Sequence, residues 1–301
     1  MLIGSIVASA SNEKIPVENF TIFSYCPETG DEEYIECDTS FVADQINNGA
    51  THISTPSYFG ESAITQGNIG NEVSPNAVIG FDFRYQIREP ASAQNRSVCM
   101  IETHWNNTTG YATGCLIGPN KVLTSAHVVH NLKEGGKANE IRVYPGYDSS
   151  TNPTYGYYLV KTVNTTDAWK VYENPNDDWA VLILTDSQHR ETTVGNTLGY
   201  WGMNYISSGS LNGVSVYVTG YPGDKPKGTM WCCGGAISTT TNQKIYYDCD
   251  TFEGESGAPV TNSSRQIVGI HSGAYMTNGV ATENWGVRIT AALMSTIKKF
   301  S

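Results

Sequence analysis

No stretch of this 301-residue chain reaches the eighteen or so uninterrupted apolar residues that a membrane helix requires, which excludes a helical span. No glycine-rich phosphate loop and no dinucleotide fingerprint occurs. Charged residues make up only 16% of the chain, and residues 78–301 carry 17 basic against 18 acidic side chains, so the basic patch of a nucleic-acid binder is missing. Basic residues are scarcest at the start. Residues 1–77 hold Lys14 alone against eleven acidic residues, a net of −10, so almost all of the formal −11 belongs to this leader. Its acidity fits either a solvated tail or a pro-segment whose carboxylates, Asp31, Glu32, Glu33 and Glu36 among them, shield a site built for acidic ligands.

Seven cysteines fit an oxidising compartment, and the odd number leaves at least one without a partner in the chain. Cys26 and Cys37 could close a loop in the leader, and Cys99 and Cys115 are another candidate pair. Cys233 and Cys249 flank a hairpin expected around Thr240-Thr241-Asn242-Gln243. Met1 to Ala10 resembles the tail of a signal peptide, with Ala8-Ser9-Ala10 as a small-residue cleavage site but no basic n-region. His127 and His130 have a spacing that suits zinc only on a helix with further ligands, and no metal or cofactor is expected.

Two motifs carry chemistry. Leu116 to Leu123 reads as two apolar strand segments around a Gly-Pro turn, followed by Thr124-Ser125-Ala126-His127. Far downstream stands Gly254-Glu255-Ser256-Gly257-Ala258-Pro259. A serine hydroxyl is a poor nucleophile at neutral pH. Acyl transfer therefore needs an imidazole to take its proton, a carboxylate to orient that imidazole and backbone N–H groups for the oxyanion. His127, Ser256 and the amides of Gly254 and Ser256 are the candidates. For the carboxylate, period-two alternation puts Asp178 on one face with Ala180, Leu182 and Leu184, ahead of its rivals Asp177 and Asp167. The order His, Asp, Ser is that of the chymotrypsin arrangement. The elbow motif Gly-x-Ser-x-Gly of the α/β-hydrolases fails because Ala258 follows two after Ser256.

From these residues the chain resembles the chymotrypsin-fold serine proteases, and within them the bacterial glutamyl endopeptidases. Thr113-Gly114 with Leu116-Ile117-Gly118-Pro119 resembles the strand before the catalytic His. Tyr247-Asp248-Cys249-Asp250-Thr251 resembles the segment before the nucleophile, and Val78-Ile79-Gly80 with Asp82 and Arg84 the mature N-terminus. The match spans roughly residues 77 to 290. It implies an all-β fold of two six-stranded antiparallel barrels with a C-terminal helix, the helix agreeing with Ile289, Leu293, Ile297 and Phe300 at helical spacing. The expected organisation is a truncated signal peptide over 1–10, an acidic pro-segment over 11–77, a first barrel over 78–190 and a second barrel with the helix over 191–301. The disulfide that many relatives place after the catalytic His is missing, since Val128 and Val129 stand there.

The resemblance puts His271 in the primary pocket, Ser272 beside the triad and Thr251 on the opposite wall, a set that favours Glu before the scissile bond. Against it, six residues before Ser256 stands Asp250, where trypsin-like enzymes keep the aspartate that selects Arg or Lys, and Glu253 replaces a small residue near the pocket mouth. Cleavage after Asn76 or Ala77 by an activating protease would create an amine at Ala77 or Val78. In the resembling family that amine helps bind the substrate carboxylate; in the trypsin type it would pair with Glu255. The expected protein is a secreted, monomeric zymogen acting on protein or peptide substrates, with no nucleic-acid or membrane partner. A non-catalytic binding module on the same fold is the competing class.

Overall fold

The computed structural model describes residues 14–58, 78–148, 153–206, 211–277 and 280–300. The described leader forms strands β1 (Asn19–Tyr25) and β2 (Glu32–Asp38), helix α1 (Ser40–Asn47) and strand β3 (His52–Ser54). The suspected maturation point at Asn76 and Ala77 and the signal-like residues 1–10 lie outside the described residues.

After β4 (Tyr85–Ile87) the chain enters the first barrel, with β5 (Val98–His104), β6 (Thr109–Gly118) and β7 (Lys121–Thr124). A small ribbon, β8 (His130–Asn131) and β9 (Gly136–Lys137), interrupts it. It continues through β10 (Glu140–Pro145), β11 (Tyr158–Thr166), helix α2 (Asp167–Tyr172) and β12 (Ala180–Thr185). The antiparallel order β10-β5-β6-β7-β12-β11 closes through a β10–β11 pairing, and the leader hairpin continues the sheet beyond β11. The short helix α3 (Val194–Leu198) and β13 (Asn204–Ile206) lead across.

The second barrel follows with β14 (Ser215–Gly220), β15 (Met230–Thr240), β16 (Lys244–Tyr247), β17 (Pro259–Asn262), β18 (Ile267–Thr277) and β19 (Val280–Arg288). It runs β14-β17-β18-β19-β16-β15 and closes through β14–β15. Strand β4 precedes the first barrel in the chain, yet it pairs with β15 of the second. Helix α4 (Ala291–Lys299) ends the chain, capped by the Thr290 hydroxyl on the Leu293 amide. Its buried Leu293 and Ile297 join a core between the barrels with Val98, Leu123, Val181 and Met230. Burying these aliphatic side chains contributes about 1.5–3 kcal/mol apiece.

All seven cysteines are thiols. The Cys26–Cys37 loop is excluded by strand register, because Phe20 is the residue opposite Cys37 while Tyr25, next to Cys26, lies opposite Glu32. At about 3.4 Å of rise per residue, that offset exceeds any disulfide reach. Cys99 and Cys115 lie on adjacent strands but one residue out of register, Cys99 facing Gly114 and Cys115 facing Val98, and they enter different cores. Cys233 and Cys249 do meet, thiol to thiol.

Candidate active site

Strand β7 is buried throughout and ends at Thr124, and a tight turn over Ala126–Val128 then presents His127. A second tight turn, Pro175–Asp177, presents Asp178 just before β12. One Asp178 oxygen accepts the His127 backbone N–H at 2.9 Å, and the other lies 2.8 Å from Nδ1. His127 keeps 29% of its side-chain surface exposed and Asp178 only 4%, so the carboxylate acts on the ring from a shielded position. Burial pulls the His127 pKa down, but the Asp178 charge and hydrogen bond, helped by Glu173, outweigh it and leave the imidazole above its usual value. Asp177 instead accepts from the Asn174 side chain, and Asp167 stands in the first turn of α2. His130 packs its ring edge on Phe23 while its carbonyl takes the Trp169 indole N–H.

The Ser256 loop is tied to the first barrel through one residue. Thr113, fully buried on β6, donates its amide to the Ser256 carbonyl at 2.9 Å and its hydroxyl to the Gly254 carbonyl at 2.8 Å. The His271 carbonyl takes both the Gly257 amide and the Ser125 hydroxyl, which stitches the residue after the serine to the turn that carries His127. Gly257 has φ +83°, and a Cβ there would lie 2.1 Å from Thr124 Oγ1 and 2.2 Å from the Thr113 carbonyl. Only glycine allows this close approach. Gly254, at φ +97°, turns the chain just before the serine. Among the described residues, the Gly254 and Ser256 amides donate to no acceptor in the chain, which leaves both N–H groups available to an oxyanion.

Between these residues, Glu255 points inward, where it accepts the Phe252 amide at 2.8 Å and lies 3.8 Å from the Arg84 guanidinium. Arg84 is fully buried and also binds Asp82 and Asp224, while Lys225 binds Asp82. Two cations thus face three carboxyl groups. Burial pushes Glu255 up to about 8 against the pull of Arg84.

His271, on β18, is buried and meets the Tyr247 hydroxyl through Nδ1 at 2.7 Å, which leaves Nε2 as the ring's other polar edge. Burial first, then the nearby His127, brings its pKa down to about 3, so the ring is neutral at ordinary pH. Thr251 donates to Asn284 Oδ1, and Asn284 Nδ2 donates to the Cys249 carbonyl, fixing that wall. Ser272 is the extra residue of a bulge between His271 and Gly273, where β18 slips against β19 and a side chain is re-aimed.

Asp250 does not serve as an open pocket carboxylate. It is 1% exposed, and its two oxygens accept the Ile79 and Phe83 amides at 2.8 Å each. That anchor ties Ile79, the residue after the buried Val78, to the residue before Thr251. Glu253 is exposed, and its carbonyl takes the Gly223 amide. Asn284, which orients Thr251, carries no motif that singles it out, and Tyr247, which meets His271, entered only within a segment of the resemblance. Thr113 entered the sequence reading only as part of a resemblance.

A family model described as a trypsin-like peptidase domain matches residues 112–270. The chain is similar to a glutamyl endopeptidase of Bacillus licheniformis, 34% identical over 223 residues that cover 72% of this chain and 66% of the relative, just under two thirds of its length. It is also similar to a protein of Bacillus subtilis named extracellular metalloprotease, 30% identical over 90% of this chain and 84% of that one. Among solved structures, a Glu endopeptidase in complex with MPD superposes with a TM-score of 0.64 at 30% identity, covering 74% of this chain and 98% of the other.

Proposed function

Because this chain belongs to the trypsin-like peptidase family, we propose that it is a secreted serine endopeptidase that cuts after Glu, with His127, Asp178 and Ser256 as its triad. The observation that carries the reading is the double hold of Asp178 on His127, together with the Gly257 contact that brings the Ser256 turn against Thr124 and Ser125. Ser256 Oγ attacks the peptide carbonyl while His127 takes the proton and later passes it to the leaving amine. Asp178 holds the Nδ1–H tautomer and stabilises the imidazolium, and the Gly254 and Ser256 amides receive the oxyanion. Each such donor contributes about 3–4 kcal/mol to lowering the barrier. The metal chemistry in the Bacillus subtilis relative's name finds no ligand set here: among the described residues, no three His, Cys, Asp or Glu side chains are grouped to hold an ion.

Specificity for Glu rests on His271, Thr251 and Ser272. With Nδ1 accepting from Tyr247, the neutral ring carries its proton on Nε2 and donates it to a substrate carboxylate, whose charge then raises the ring's pKa. The engagement of Asp250 by two amides counts against Arg or Lys specificity, since both of its oxygens already accept a bond. Residues 1–10 act as part of an export signal and 11–77 as a leader, cut near Asn76 to Val78. The new amine then forms close before Ile79, whose amide Asp250 holds, while Glu255 already lies 3.8 Å from Arg84. In an oxidising compartment Cys233 and Cys249 form a bridge. A serine-directed phosphonate should add its mass to Ser256 of the processed wild type and leave Ser256→Ala unlabelled. Labelling elsewhere, or near wild-type turnover by Ser256→Ala, would refute the assignment.

A further inference from the structure

The described part of the leader, residues 14–58, makes its contacts away from the residues of the cleft. Its acidic hairpin lies against the first barrel, where Glu32 pairs with Lys137 at 2.8 Å and Lys170 at 3.1 Å. Lys170 also lies over the Phe23 and Tyr34 rings, at 4.2 and 4.7 Å from their centroids. None of the leader's described hydrogen bonds or ion pairs involves Thr251, His271, Ser272 or Ser256.

It is built into the fold instead. Strand β1 extends the β11 ladder, with Ile22 opposite Thr166 and Tyr25 opposite Val163. Phe23 and Tyr25 are buried in the first-barrel core, and Ile22, Val42 and Ile53 in the core between the barrels. Helix α1 packs on α4, and β3 pairs with β13. The Ser57 hydroxyl takes the Gly202 amide, so the contacts run from one barrel to the other. The Tyr25 hydroxyl donates to the Val129 carbonyl and accepts the Ala138 amide, and both belong to the loop that follows His127.

A cut near Asn76 to Val78 lies beyond all of these contacts and breaks none of them. It turns the hold on residues 14–58 from an intramolecular one into an intermolecular one. Departure of the leader would instead expose a strand edge on β11 and strip apolar residues from two cores. We infer that residues 14–58 stay bound to the cleaved protein as a non-covalent second chain that braces the His127 loop.

The inference rests on the proposed function only for the position of the cut. Retention can be read without any peptidase activity. A recognition site for a sequence-specific protease is inserted between Gly67 and Asn68 of the full chain carrying Ser256→Ala, the protein is cut, and gel-filtration fractions at low micromolar concentration are analysed by mass. The leader fragment should elute with the barrels and separate only in denaturant. Its appearance alone at low mass, whether the barrels stay soluble or precipitate, overturns retention.

The brace is tested in the cut, active protein by Tyr25→Phe, which removes one hydroxyl and keeps the ring. kcat should fall several-fold with KM and the residue preference before the scissile bond unchanged. An unchanged kcat overturns the bracing role. Loss of Glu preference in both proteins alike would instead count against the proposed specificity and leave retention standing.

Discussion

Asp178 grips His127 at two points, its backbone N–H at 2.9 Å and its Nδ1 at 2.8 Å, so one buried carboxylate sets both the position of the turn and the direction of the ring. Rotation of the imidazole would break one bond, and displacement of the turn would break both.

Asp178→Asn keeps the size of this group and replaces an acceptor by a donor facing Nδ1. The ring should adopt the wrong tautomer, and kcat on a peptide substrate should fall by about 10⁴ with KM little changed. A loss of less than tenfold would mean that another residue orients His127.

The two histidines of the site titrate in opposite senses. His127 is raised, so kcat/KM should fall as pH drops through a value above 6.5, because protonation removes the base. His271 is lowered to about 3, so between 6.5 and 3 the unfolded chain binds a proton that the folded chain refuses. Its contribution to stability is present above pH 6.5 and lost as pH falls, at about 1.4 kcal/mol per unit. Urea unfolding of Ser256→Ala with and without His271→Gln should show the steeper acid loss in the protein that keeps His271. Equal slopes would contradict the buried, neutral ring.

Gly257→Ala places a methyl group 2.1 Å from Thr124 Oγ1 on a backbone with φ +83°. The serine turn must move away from His127. Since a displacement of about 1 Å can cost 10²-fold, phosphonate labelling of Ser256 should slow by at least about that factor. Wild-type labelling would show that the contact does not position the serine.

Arg84→Met leaves Asp82, Asp224 and Glu255 buried without their guanidinium. Stripping one partner from a buried ionic cluster costs about 3–5 kcal/mol, which urea unfolding would read directly. A loss below about 1 kcal/mol would mean that the cluster is solvated or rearranges.

His127 and Ser256 stood out as candidates in the sequence because each sits in a short motif whose residue types serve one chemistry. Asp178 was legible for a reason that the structure replaces. Strand β12 begins at Ala180, and the turn over Pro175–Asp177, rather than strand alternation, aims Asp178 at His127. The two-barrel fold was carried by the resemblance and by the dense turns between short strands. The engagement of Asp250 was not legible, since its partners Ile79 and Phe83 lie 171 and 167 residues upstream and counting back from Ser256 gives chain distance only. The folding of residues 14–58 was not legible from the leader's acidic composition, since the buried face of β1 finds its partner strand some 140 residues away. Thr113 was hidden in the same way, as its bond to Gly254 spans 141 residues.

The triad and the acid-binding pocket act on one substrate, and one comparison tests both together. The processed enzyme is given two peptides that differ only in the residue before the scissile bond, Glu in one and Lys in the other, and kcat/KM is measured for each. A pocket built on His271, with Asp250 already bonded to two amides, predicts a preference for Glu on the order of a hundredfold or more. Faster cleavage after Lys would contradict it.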